Sequence, residues 1–304
     1  MLIGWRRFMW RYRAYSLIIE SEIELPELSP AESSESVDLT IRIGEVPVVL
    51  QDPVAEGARF QAAPGVLLVV VDGVGRFLAR DGETIIVDRE SGTTDSDIRL
   101  FLLGTMLGGV LQQRGILTLH GSVVDSPQGA VAILGHSGAG KSTTAYALHE
   151  RGFSLVSDDL CAVRLNDAGE PRVFGGYPQF KLWPDSLAAF ELGEGDLRRV
   201  RPVLEKRAVP CLEEISTGAR RLKRVFVLSE SNSVESQFRE IQGFAKIDRL
   251  KEQIYRRQFL MKEAQGKVFE TLAALGGEIR MYEVLRPRGD IVLERFVDEI
   301  VSRF

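Results

Sequence analysis

The chemistry of this chain is concentrated in one run, Gly135-His136-Ser137-Gly138-Ala139-Gly140-Lys141-Ser142, which fits the pattern G-x-x-x-x-G-K-[ST]. Glycines at this spacing let successive backbone N–H groups curl around an anion, Lys141 offers a mobile point charge to β- and γ-phosphates, and the Ser142 hydroxyl can ligate Mg²⁺. Thr143 opens the helix that follows and joins these residues as a cofactor-binding position. Further along stand two adjacent carboxylates, Asp158 and Asp159. Beside a bound triphosphate one carboxylate can hold Mg²⁺, directly or through water, while the other takes the proton of an attacking hydroxyl. The plain alternative is a strand-end turn, where aspartate is common.

The elements around these residues decide between the two. The apolar run 130–134 reads as a buried strand and 143–151 as a helix closed by Gly152, so the positive end of the helix faces the phosphates. A strand at 116–124 precedes it, joined across the turn 125–129. In a hairpin of that length Val124 faces Val131 and His120 falls opposite Gly135, at the mouth of the loop. A lone histidine on a strand is also an ordinary satisfied core residue. A second apolar strand, 153–157, ends in the aspartate pair. In a right-handed strand-loop-helix-strand unit the two strand ends lie side by side on one rim of the sheet, which brings both aspartates to Lys141 and Ser142.

Elsewhere, 15–89 alternates apolar and polar residues with hairpin signals at Asp72-Gly73 and Asp81-Gly82 and reads as β-rich. Between 95 and 114 the period becomes helical behind a Ser/Asp cap. Asn166-Asp167-Ala168-Gly169 reads as another hairpin turn, 225–228 as a short strand, 243–274 as mainly helical, 279–285 as a strand, and 290–304 as a closing helix capped by Asp290. The expected division is a β-rich region, 1–94, and an α/β core with a mixed sheet, 95–304. Basic clusters at 198–207 and 220–224 read as solvated faces, with Lys206 and Arg207 as alternative phosphate clamps.

Composition narrows the class. The 304 residues are 44% hydrophobic and 27% charged, ordinary globular values, and a net charge of -5 leaves no electrostatic footprint for nucleic acid. Cys161 and Cys211 have neither pairing nor metal spacing, which points to a reducing, cytoplasmic setting. The longest apolar stretch, 100–111, is too short to span a bilayer. The basic, aromatic segment 5–13 lacks the features of a signal peptide and reads as a segment covering a sheet edge, with a membrane-surface or partner-binding arm as the alternative.

Leu119-His120-Gly121, the Gly135–Ser142 loop, Glu150-Arg151-Gly152-Phe153 and Leu155-Val156-Ser157-Asp158-Asp159, taken in order, resemble the catalytic core of the HPr serine kinase/phosphorylase family. The resemblance implies a P-loop kinase fold and Mg²⁺-assisted, ATP-dependent phosphorylation of a serine hydroxyl. It also makes His120 a catalytic residue alongside Lys141, Asp158 and Asp159. From the same resemblance Asp158 is expected as the base and Asp159, with Ser142, on the metal side. Tyr177-Pro178-Gln179-Phe180-Lys181-Leu182-Trp183-Pro184 stands where that family has a glycine-rich stretch. Phe180 to Pro184, with the β-rich N-terminal part, more resembles the HPr-kinase-like proteins of ribosomal peptide biosynthesis, including lasso peptide tailoring kinases. That second resemblance implies a precursor peptide as partner, phosphorylated on its C-terminal serine.

Other P-loop classes fit less well. A switch GTPase needs an N-K-x-D string, and Ala245-Lys246-Ile247-Asp248 lacks the asparagine; a transporter ATPase needs an Asp-Glu pair ending a strand, whereas Asp298-Glu299 lies in the last helix. A non-catalytic ATP-binding scaffold and a small-molecule kinase are the alternatives, and self-association is left open. A second carboxylate beside the γ-phosphate argues for transfer over binding alone.

Overall fold

The computed structural model describes residues 9–193, 195, 197–201, 204–211, 218–233, 235–287 and 293–304. Residues 5–8 of the basic segment 5–13 and the Asp290 cap lie outside them. The chain forms two compact units: 1–115 with 256–265, and 116–255 with 266–304.

Nine strands of the first unit, among the described residues, make one mixed sheet. Its hairpins turn where the sequence signals them: Val66–Val71 pairs with Gly75–Arg80 around Asp72-Gly73, and Gly75–Arg80 with Thr84–Arg89 around Asp81-Gly82. Leu17–Ser21, Leu39–Ile43 and Thr84–Arg89 run parallel. Ile19, Leu39, Ile41, Phe77 and Ile85 are fully buried, as alternation along half-buried strands requires. The expected helix at 95–114 is interrupted. It runs Asp95–Phe101, passes through a π-helical turn at Leu102–Met106, and resumes at Leu107–Gln113. Its cap is Thr94 rather than the serine or aspartate beyond it, in a capping box whose other half is Asp97. This helical segment belongs to the first compact unit, so the division between units falls after Gly115.

The second unit is built on an eight-stranded mixed sheet, again among the described residues. The strand Leu117–Ser126 pairs antiparallel with the P-loop strand Gly129–Gly135, Val124 opposite Val131 and Gly121 opposite Leu134, the register the turn length dictates. The P-loop strand pairs on its other edge, in parallel, with Arg220–Ser231, which is parallel in turn to Arg280–Pro287. One expectation fails here. The strand that ends in the aspartates, Leu155–Ser157, does not neighbour the P-loop strand, because the ten-residue strand Leu117–Ser126 lies between them and pairs with both. Both ends still reach the same rim, since each runs antiparallel to that shared neighbour. Arg220–Ser231 is also much longer than the expected 225–228. Its basic start pairs with residues remote in sequence, Arg220 with Asp125 at 2.6 Å and Arg221 with Glu278 at 2.8 Å, and these arginine side chains stay 41% and 38% exposed, so the cluster is the solvent-facing start of a long strand.

Gln179–Leu182, Leu204–Pro210 and Arg199–Arg201 form a small antiparallel sheet. Phe180 anchors it: fully buried, it meets Tyr146 of the P-loop helix edge-on with ring centroids 5.1 Å apart.

Candidate functional site

The P-loop strand ends at Gly135, with φ +143°, in close contact with the neighbouring strand; a Cβ there would lie 2.5 Å from the Leu228 carbonyl oxygen. Gly138 and Gly140 are left-handed, at φ +88° and +91°, which turns the loop into the helix Lys141–His149. Ser137, Gly138, Gly140, Lys141, Ser142 and Thr143 line a cleft of about 660 Å³. Gly135 and Ala139 are buried, and His136 is exposed. Lys141 Nζ donates to the His136 carbonyl at 2.9 Å. Its pKa is lowered to about 8 because burial disfavours the ammonium, a loss that Asp159 partly offsets. Thr143 Oγ1 lies 2.7 Å from Ser186 Oγ.

The two aspartates occupy different environments. Asp158 is 2% exposed. Its Oδ1 accepts from Ser142 Oγ at 2.9 Å and Ser122 Oγ at 2.6 Å, and its Oδ2 from the Lys181 backbone N–H at 2.9 Å. Asp159 turns the other way because its backbone is left-handed, φ +80°, a conformation aspartate tolerates better than most residues. Its Oδ2 accepts from Lys181 Nζ at 2.8 Å and its Oδ1 lies 3.4 Å from His120 Nδ1. Burial raises the Asp159 pKa, but Lys181 and His120 outweigh it and hold the carboxyl well below the usual range. Burial would lower the Lys181 pKa, yet Asp159 and Tyr177 keep the ammonium charged. His120 shifts down, chiefly through burial, against the pull of Asp159.

His120 is therefore at the mouth of the loop, as the hairpin register requires. Its backbone N–H donates to the Gln253 carbonyl at 2.8 Å and its Nδ1 lies 3.2 Å from the Asp159 carbonyl oxygen. Lys206 lines the cleft, its ammonium 5.1 Å from the Trp183 ring centroid. Arg207, next on the same strand, is buried and is not among the lining residues, as strand alternation demands. The carboxylate bonded to Ser142 is Asp158, whereas Asp159 had been expected on that side.

Known proteins are similar to part of this chain. Over 63 residues the chain is 44% identical to HPr kinase/phosphorylase of Caldanaerobacter subterraneus subsp. tengcongensis, a match covering 21% of this chain and 20% of that one. The HPr kinase/phosphorylase of Prosthecochloris aestuarii is 40% identical over 91 residues, 30% of this chain and 24% of the relative. That of Caldicellulosiruptor bescii is 27% identical over 183 residues, 59% and 50%. Part of the chain is thus similar to HPr kinase/phosphorylases. The matches span between about a fifth and a half of the relatives' own lengths. No family model matches. Among solved structures, the Hpr(Ser) kinase/phosphatase from Coxiella burnetii aligns over 61% of this chain and 89% of that one at 13% identity and a TM-score of 0.33.

Motif reasoning finds the loop and the aspartate pair but does not assign other cleft residues to the site, among them Lys181, Trp183, Glu230 and Arg286. Lys181 had a signal, since it sits in the Phe180–Pro184 segment, but nothing local says that it reaches the aspartates. Ser122 had one too, being two residues beyond His120 and so on the same strand face. Glu230 and Arg286 depend on the parallel pairing of two strands far apart in sequence, with Glu230 opposite Arg286.

Proposed function

We propose that this protein is an ATP-dependent kinase that transfers the γ-phosphoryl group to a serine hydroxyl of a protein or peptide. The observation that carries this reading is the division of labour between adjacent aspartates: one tied to the P-loop serine, the other facing the cleft between a histidine and a lysine. A pure nucleotide-binding module has little use for the second.

The P-loop amides and Lys141 cradle the phosphates, and the helix N-terminus adds its partial positive charge. Ser142 and Asp158 are hard oxygen donors 2.9 Å apart, a pair suited to Mg²⁺, which takes one or two carboxylates and completes its shell with water and phosphate oxygens. Mg²⁺ held there would neutralise charge on the phosphates. We assign Asp158 to the metal side and Asp159 to the acceptor side, the reverse of the order implied by the family resemblance. Asp159 faces the space where a hydroxyl would approach the γ-phosphorus, and its ionised carboxylate accepts the proton as the serine O–P bond forms and the bond from the γ-phosphorus to the β–γ bridging oxygen breaks, with ADP as the leaving group. Its low basicity is tolerable in a loose transition state, which asks the protein mainly for position and charge. His120 and Lys181 hold that carboxylate from either side. Within this class, the Phe180–Pro184 segment supports the finer reading of a ribosomally made precursor peptide, phosphorylated on its C-terminal serine.

Replacing each aspartate separates the roles. Asp159→Asn keeps ATP affinity within a few-fold and lowers single-turnover transfer by about a hundredfold or more, the usual cost of losing a general base. Asp158→Asn instead raises the Mg²⁺ concentration needed for half-maximal transfer and weakens ATP binding. The opposite pattern in titration calorimetry and rapid-quench transfer overturns the assignment.

A further inference from the structure

The triphosphate must run across the loop in one direction. The acceptor side is fixed by His120 and the aspartates, which lie beyond one edge of the P-loop strand. The opposite edge pairs with Arg220–Ser231 and then with Arg280–Pro287, both parallel to the P-loop strand, so their C-terminal ends open on the same rim. There Glu230 and Arg286 face each other across the ladder and line the cleft. The Arg286 guanidinium lies against the last glycine of the loop. A Cβ built on Gly140 would be 3.4 Å from its central carbon, 3.6 Å from Nη1 and 3.7 Å from Nε. The side chain is only 17% exposed. Its Nη2 reaches Glu230 Oε1 at a long 3.4 Å, and its Nε is buried with no hydrogen-bond partner among the described residues. A buried charged donor left unsatisfied is costly, and such a group held beside an anion cradle marks a missing acceptor.

We propose that Arg286 is a nucleotide-binding residue that holds the α-phosphate on the flank of the P-loop away from the aspartates. This rests on the kinase reading of the same cleft. The guanidinium supplies a planar fork of N–H donors, the geometry that suits phosphate oxygens. With the γ-phosphoryl group directed toward Asp159, the α-phosphate falls on the Arg286 side, while Glu230 keeps the fork aligned until the nucleotide arrives.

The test compares ATP with pyrophosphate, which fills the cradle but carries no α-phosphate. Titration calorimetry on the full chain with Mg²⁺ is expected to show Arg286→Gln weakening ATP binding about ten- to a hundredfold, the worth of a hydrogen bond to a charged group, with pyrophosphate binding unchanged. Arg286→Lys, which keeps the charge and most of the packing, recovers part of the ATP affinity and guards against a misfolded glutamine variant. Wild-type ATP affinity in both variants, with Lys141→Ala abolishing binding, overturns the role of Arg286 and leaves the kinase reading standing. Equal loss for ATP and pyrophosphate also overturns it, because the residue would then serve the cradle as a whole. Failure of the wild-type protein to bind ATP refutes the kinase reading itself.

Discussion

The two aspartates differ because of one backbone angle. Left-handed φ at Asp159 points consecutive side chains to different partners, so a pair that looks equivalent in sequence becomes a buried acceptor of three hydrogen bonds and a cleft-facing carboxylate. Residue types and spacing were enough to find the pair, but not to orient it, since the orienting groups, Lys181 and Ser122, come from other strands. Cysteine gives a second case at this scale. Cys161 is fully buried in a strand, and burial pushes its thiol up to about 12. The thiolate is the reactive form, and it populates only as pH approaches that value. Cys161 is therefore expected to resist iodoacetamide at pH 8 in the folded protein and to react after unfolding in urea. Peptide mapping by mass spectrometry reads this directly, and rapid labelling of native Cys161 contradicts the burial.

At the scale of elements, the strand Gln179–Leu182 couples the core to the site. Phe180 points into the core against Tyr146 and His149, and its neighbour Lys181 points to the aspartates, so packing of one fixes the other. Phe180→Ala is expected to cost about 3–5 kcal/mol in urea unfolding, the usual range for a buried phenylalanine. It should also lower transfer even where the fold persists, because Lys181 loses its support. A loss below 1 kcal/mol contradicts this coupling. The hairpin that places His120 was legible, since apolar strands flank a short Pro-containing turn and its length sets the register. The strand Gln237–Ile241 was not. It is mostly exposed, carries Arg239 and Glu240, and among the described residues pairs only with the distant Arg280–Pro287, so no local period betrays it. Arg220–Ser231 hid its length behind arginines whose partners, Asp125 and Glu278, lie far away in sequence.

For the whole molecule, the residues that line the cleft all belong to the second compact unit, and none of the helices is long and apolar enough to cross a membrane, among the described residues. A ligand that binds only the folded cleft stabilises it by mass action, by about 2.7 kcal/mol at a hundred times its dissociation constant. ATP with Mg²⁺ is thus expected to raise the midpoint of thermal unfolding for the wild-type chain and to leave Lys141→Ala unmoved; an equal shift in both places the nucleotide elsewhere. The central claim is transfer to serine, and it is tested most directly by incubating the full chain with ATP, Mg²⁺ and a panel of serine-containing peptides, including serine-ended ones, and mapping products by mass spectrometry. Phosphoserine should form with the wild-type protein and disappear with Asp159→Asn, which still binds ATP. ATP binding by the wild-type chain with no phosphoserine on any peptide contradicts the account and leaves a nucleotide-binding module in its place.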